Sequence, residues 1–240
     1  MPDNRFFALD TFTSCKRVQI TDQEMHHMLH VMRIKEKESI ELVNGKGDLA
    51  FATVEKIDKR SVTAFIDDVR KEPQAPCRLI LAQGMPRLAR LEYIVEKATE
   101  LGVTDLWLFP AEKSEIKTLT DKQVERLTLI LISAMKQCGR LYLPLITLMP
   151  PLAKWQKAPI KGFFGDVHDS APPLLRSLSP QISQEDLMWI VGPEKGFSEE
   201  ENSIMKDKLS FQGTGLCKNI LRTDTAAIAG LSVLAACKMQ

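Results

Sequence analysis

Three glycine-bearing segments hold the residues whose types and spacing best suit chemistry. The first is Trp189-Ile190-Val191-Gly192-Pro193-Glu194-Lys195-Gly196-Phe197-Ser198, an apolar run that enters a glycine loop and then a helix start. Ligands of open α/β sheets sit outside the carboxyl ends of strands, where loops leave backbone amides free to bind them. A plain strand-to-helix connection would use the same residues. The second is Gly213-Thr214-Gly215-Leu216-Cys217-Lys218-Asn219-Ile220-Leu221-Arg222-Thr223-Asp224-Thr225-Ala226-Ala227. Here a short strand near Leu216 enters a polar turn and then an apolar helix. Arg222 and Thr223 fall at that helix's N-terminus, where a guanidinium and free backbone donors can hold an anion or the polar edge of a base. Taken alone, Thr223 also reads as a cap and Arg222 as a solvated side chain. The third is Ala134-Met135-Lys136-Gln137-Cys138-Gly139-Arg140, a helix end followed by glycine and arginine. Basic residues gather at helix C-termini for dipole reasons as well.

The elements that must position these segments follow from patterning. The first seventy or so residues read as β-rich with one short helix. Thr21-Asp22-Gln23-Glu24 has the spacing of a capping box and opens a helix through MHHMLHVM. Alternating runs follow at Ser39–Val43, Leu49–Ile57 and Ser61–Val69, separated by the turn sequences Asn44-Gly45-Lys46-Gly47-Asp48 and Asp58-Lys59-Arg60, which suggests a small barrel. Lys71-Glu72-Pro73-Gln74-Ala75-Pro76 reads as a linker. Beyond it, strands near Arg78–Ala82, Leu106–Phe109, Leu145, Phe163 and Leu187–Val191 alternate with helices. Those helices are expected from Leu88 to Leu101, from the Thr120 cap to Cys138, from the Ser198/Glu201 capping box onward, and from Thr225 to Lys238. Such alternation predicts a mainly parallel sheet covered on both faces.

Composition narrows the function classes. The chain has 240 residues, 44% hydrophobic and 26% charged, enough for a sizeable core in one large or two smaller domains. No run approaches the roughly 20 apolar residues of a membrane helix, and MPDNRFFALD lacks the features of a secretory signal, so a cytoplasmic address is expected. Cys15, Cys77, Cys138, Cys217 and Cys237 are odd in number and form no C-x-x-C pair, so they read as reduced thiols. Net charge is only +1, from 32 basic and 31 acidic residues, so any nucleic-acid footprint must be a local patch. His26, His27 and His30 lack a clear acidic partner, and no metal is expected; solvated histidines, or ones that face a nucleic acid, fit better. Ala82-Gln83-Gly84-Met85-Pro86-Arg87 lacks the G-x-G-x-x-G of dinucleotide binding. Arg87 and Arg90 either extend a basic surface or are simply solvated.

In succession, Glu96-Lys97-Ala98-Thr99-Glu100-Leu101-Gly102-Val103, Gln137-Cys138-Gly139-Arg140, Gly192-Pro193-Glu194-Lys195-Gly196 and Ile220-Leu221-Arg222-Thr223-Asp224-Thr225-Ala226 resemble the RsmE family of 16S ribosomal RNA (uridine-N3) methyltransferases, SPOUT class. Arg5-Phe6-Phe7 and the His26-His27-x-x-x-Val31-x-Arg33 helix resemble that family's opening domain, so the likeness covers essentially the whole chain. It implies an α/β fold in two parts: a PUA-like β-barrel RNA-binding domain over residues 1–72, and a SPOUT domain over 73–240 whose C-terminal segment forms a trefoil knot. It implies S-adenosylmethionine as cofactor, held by Gly192, Pro193, Glu194 and Gly196 in one loop and by Leu216, Cys217, Ile220, Leu221 and Thr223 in the other. The implied partners are 16S ribosomal RNA in the small ribosomal subunit and a second copy of the chain.

On this reading Arg222 stabilises negative charge developing on the uracil carbonyls, and Asp224 and Glu96 are candidates to accept the N3 proton. Arg5, Arg33 and Arg140 are expected to touch RNA, and the target base to be unpaired or flipped out. Four positions depart from the family pattern. Lys195 stands where a glycine is usual, Lys136 where a glutamate is, Asp224 where a glutamate is, and Lys113 where an arginine is. Lysine fits poorly where positive φ is needed and cannot replace a bidentate arginine contact. Lys195 and Lys113 therefore motivate a rival reading as an RNA-binding protein with weakened catalysis. A SPOUT methyltransferase acting on another RNA is the other.

Overall fold

The structure is a computed structural model that describes residues 4–168, 170–179 and 181–239. The chain divides into two compact units, one made of the residues up to Gln74 with Ile132–Leu143, the other of Ala75–Leu131 with Pro144 onward.

The first unit contains β1 (Arg5–Phe7), β2 (Arg17–Ile20), α1 (Asp22–His26), β3 (Ser39–Val43), β4 (Asp48–Ile57) and β5 (Val62–Lys71). They form one curled mixed sheet in the order β1-β3-β4-β5-β2, with β1 parallel to β3 and the other pairs antiparallel. Inward-facing Phe6, Ile20, Leu42, Val54 and Ile66 alternate with outward residues and share the core with Met28. The turn before β4 requires its glycines. Gly47 has φ +92, and a Cβ there would lie 2.4 Å from the Tyr142 ring.

Two expectations for this unit need correction. The helix through MHHMLHVM is a single α turn followed by a π-helical turn, His27–Val31. Thr21 and Glu24 form no capping box: the Thr21 hydroxyl donates to Asp22 Oδ2, while Glu24 Oε1 accepts from Phe7 N at 2.8 Å and pairs with Lys136 Nζ at 2.5 Å. The carboxylate thereby satisfies a sheet-edge donor and a mostly buried ammonium, a stronger demand than one frayed helix end.

The second unit holds β6 (Leu79–Gly84), α2 (Leu88–Glu100), β7 (Asp105–Phe109), the first turns of α3 (Asp121–Cys138), β8 (Leu145–Leu148), β9 (Lys161–Gly165), β10 (Leu187–Val191), α4 (Glu199–Ser203), β11 (Gln212–Thr214) and α5 (Thr223–Lys238). All six strands are parallel, in the order β11-β9-β10-β6-β7-β8. The central pair, β6 and β10, is buried throughout, as near-continuous apolar strands in a covered sheet must be. Ile80, Phe109, Trp155, Phe164 and Ile190 fill one face. Against the other, α5 packs its small residues. Trp189 Nε1 donates to Ala226 O at 2.9 Å, and Gly230 leaves room for the indole.

The helix capped by Ser198 has the full box, with Ser198 Oγ accepting from Glu201 N and Glu201 accepting from Ser198 N. Thr120 caps α3 with Gln123 as its reciprocal partner. The last strand is Gln212–Thr214 rather than near Leu216, because Gly215 already pairs with residues 172–174 instead of continuing alongside β9. The final helix starts at Thr223, two residues earlier than expected.

Candidate active site

From β6 the chain adds β7 and β8 on one side, then crosses to place β10, β9 and β11 on the other. The carboxyl ends of β6 and β10 therefore diverge at a topological switch point, where open α/β sheets bind ligands. Gln83-Gly84 and Val191-Gly192 stand there in adjacent register.

Neither glycine can carry a side chain without a shift. A Cβ on Gly84 would lie 3.0 Å from Pro193 Cδ, and one on Gly192 would lie 3.2 Å from the Gly196 carbonyl carbon. The loop closes through Gly196 N donating to Pro193 O at 2.9 Å, and Gly196 has φ +68. Lys195 is not at positive φ; its exposed ammonium lies 3.9 Å from Glu115 Oε1. The backbone objection to lysine at this position does not apply.

Thr223, buried at the start of α5, donates to Gly192 O at 2.6 Å, so it ties the second loop to the first rather than capping the helix. Its hydroxyl accepts from Gln83 Nε2 at 3.0 Å. That amide nitrogen also reaches Gly84 O, Gly192 O and Val191 O at 2.9, 3.2 and 3.4 Å. On the outside, Arg90 pairs with Asp224 Oδ2 at 3.0 Å and lies 3.6 Å from Glu194 Oε1, which accepts from Arg87 N. Asp224 Oδ1 is buried without a hydrogen-bond partner among the described residues. Arg222 is the exposed N-cap residue of α5, and its guanidinium has no hydrogen-bond or ion-pair partner among the described residues.

The residues expected in the second loop follow β11 on the same side of the sheet. Leu216 and Leu221 are half-buried, Cys217 and Ile220 exposed, and Ile220 reaches 85% exposure. Lys113 donates to Phe197 O at 2.9 Å, joining the 110–117 segment to the loop after β10. Glu96, the other candidate acceptor, is engaged by Lys97 at 2.7 Å.

The three arginines expected to meet RNA all lie in the first unit. Arg5 is 9% exposed in its side chain and paired with Glu41 at 2.8 Å, while Arg33 is exposed in a positive-φ turn. Arg140 is half-buried, and burial pulls its guanidinium below the usual arginine value. Arg5 Nη1 lies 3.8 Å from where a Gly139 Cβ would be, so Arg5 neighbours the 137–140 segment. Among the described residues no group of three or more His, Cys, Asp or Glu could hold a metal, and no helix is long and apolar enough to cross a membrane. Gln83 and the Arg90 ion pairs are what the sequence reading missed: Gln83 sits in a strand with nothing around it that marks a site.

The RNA methyltransferase domain profile matches residues 73–235, and that of the RNA methyltransferase PUA domain matches 20–67. The chain belongs to this RNA methyltransferase family. Its fold is accordingly a PUA-like first domain and a parallel-sheet methyltransferase domain. Among curated relatives, the ribosomal RNA small subunit methyltransferase E of Rickettsia conorii is 25% identical, covering 97% of this chain and 95% of its own. That of Bacillus subtilis is 27% identical over 90% and 88%. Of solved structures, the small subunit methyltransferase E of Neisseria gonorrhoeae bound to S-adenosylmethionine superimposes with a TM-score of 0.86 at 26% identity, covering 98% and 97%. A Legionella pneumophila methyltransferase in complex with the same cofactor does so with a TM-score of 0.87 at 26% identity, covering 98% of each chain.

Proposed function

We propose that this RNA methyltransferase moves a methyl group from S-adenosylmethionine to N3 of a uridine in 16S RNA of the small ribosomal subunit, working in the cytoplasm as a homodimer. The observation that carries this reading is the pair of interlocked loops at the strand switch point, in a chain that superimposes over 98% of its length on a structure holding that cofactor. The residues present fit such a ligand. Gly84 and Gly192 let the end of β6 and the glycine loop approach closely, where a Cβ would meet Pro193 or the Gly196 backbone, and two buried polar atoms beside these loops, Gln83 Oε1 and Asp224 Oδ1, have no partner among the described residues.

Gly192, Pro193, Glu194 and Gly196 would hold the cofactor from one side, and Leu216, Cys217, Ile220, Leu221 and Thr223 from the other. When bound, it supplies a methyl group already activated on sulfonium, so the protein's task is alignment and charge stabilisation. Arg222, unpaired and exposed beside both loops, is suited to hold negative charge on the uracil carbonyls as N3 loses its proton. Asp224 is preferred to Glu96 to take that proton, because it directly follows Thr223, which bonds the glycine loop at Gly192 O. Arg33 and Arg140 would meet the RNA, with Arg5 acting beside them from its pair with Glu41. The weakened-enzyme reading loses its main motive, since Lys195 needs no positive φ.

The test is methyl transfer from labelled S-adenosylmethionine to small subunits purified from cells lacking this protein, followed by nucleoside mass analysis. 3-Methyluridine is the expected product. A label on another nucleoside, or none despite cofactor binding, sinks the uridine-N3 assignment.

A further inference from the structure

We infer that Gln83 is a positioning residue that fixes the two cofactor loops relative to each other before ligand arrives. The inference rests on the reading that these loops hold S-adenosylmethionine. Gln83 is fully buried at the end of β6, and its side-chain nitrogen lies within hydrogen-bond reach of Gly84 O, Val191 O, Gly192 O and the Thr223 hydroxyl. The amide orientation is dictated by its neighbours. Three are carbonyl oxygens, and the hydroxyl proton of Thr223 is already committed to Gly192 O at 2.6 Å, so an oxygen in place of the nitrogen would face acceptors only. Two N–H protons shared among four acceptors draw together a strand end, the first loop and the start of α5, elements remote in sequence.

The other half of the amide shows that stability alone does not explain this residue. Gln83 Oε1 is buried and has no partner among the described residues, a defect rare in native interiors. A leucine would fill similar space without it, although it could not tie Gly192 to Thr223. On the outer side Arg90 repeats the arrangement, pairing with Glu194, two residues after Gly192, and with Asp224, directly after Thr223. Two side chains from one short stretch, β6 to the start of α2, thus hold the same two loops. A crevice set in advance spares the ligand the ordering of both loops on binding.

The experiment compares full-length wild type, Gln83→Leu and Thr223→Val by calorimetric titration with S-adenosylhomocysteine, thermal unfolding, and KM values for S-adenosylmethionine and RNA. In Gln83→Leu we expect binding weaker by roughly tenfold or more, a raised cofactor KM, an unchanged RNA KM, and a lowered melting temperature, because the carbonyls that the amide served lose their donor. Thr223→Val is expected to lose affinity in the same direction, and the double variant to lose less than the product of the two. Near-wild-type binding by both single variants overturns the inference while leaving the cofactor assignment intact. Failure of wild type itself to bind overturns that assignment and the inference with it. If Gln83→Leu does not fold, Gln83→Met, of closely similar shape and without the amide, decides: weakened binding supports the brace and unchanged binding refutes it.

Discussion

Arg222 is the residue on which turnover should depend most directly. It is exposed, unpaired and held at the head of α5 by its buried neighbour Thr223, so truncation removes charge without leaving a hole. Arg222→Ala should lower kcat by about 100- to 1,000-fold with little change in the KM for S-adenosylmethionine, as single-turnover kinetics will report. A second residue-scale prediction concerns packing. A Cβ at Gly230 would sit 2.1 Å from Trp189 Cε2, and the indole is fully buried and anchored by its bond to Ala226 O. Gly230→Ala should therefore destabilise by about 1–3 kcal/mol despite the better helix propensity of alanine, measurable by urea denaturation. Glycine inside a helix looks like weakness in sequence, and only the facing tryptophan explains it.

At the scale of elements, β6 and β10 start side by side, and Asp186 holds that start together. Its carboxylate accepts from Arg78 N at 2.7 Å and from Arg78 Nε at 2.9 Å. Burial pushes the Asp186 carboxyl up, but the donors of Arg78 outweigh it and keep it below the ordinary aspartate value. A carboxylate lowered in the folded state contributes stability fully above its unfolded value, about pH 4, and loses it as pH falls through the lowered native value. Asp186→Asn should cost about 1 kcal/mol at pH 7 and progressively less below about pH 4, as denaturation at both pH values will show. Elements also show where reading by pattern succeeds and fails. Ser198 and Glu201 have the capping-box spacing and form it, because the competing donor Glu112 N takes Glu201 Oε1 and leaves Oε2 to accept from Ser198 N. Thr21 and Glu24 have the same spacing and do not, because Phe7 N and Lys136 claim the carboxylate.

At the scale of the whole molecule, the first unit is not a contiguous stretch. Val43, at the end of β3, shares a small apolar cluster with Met135 and Leu141, flanked by Phe7, Leu49 and Leu143. Met135→Ala should destabilise this unit by about 2–4 kcal/mol, seen as lost amide-exchange protection in β3 and β4, although the residue lies far beyond the proline-bearing linker. A loss of protection confined to α3 would contradict that.

Apolar alternation, turn chemistry and strand–helix rhythm are local, set by spacings of two to four residues, and they determined the β-rich opening, the alternating α/β remainder and most element positions. The glycine loop after β10 and the arginine before α5 were legible for the same reason, as short signatures in order along the chain. What joins them was not. Gln83 meets Gly192 and Thr223 because β10 lies beside β6, and periodicity says nothing of strand order. Glu24 meets Lys136, and Val43 meets Met135, because the end of α3 packs with the first unit. Such pairings depend on which surfaces the folded chain brings together, and no local spacing encodes that, so only the tertiary structure decided how the site is held.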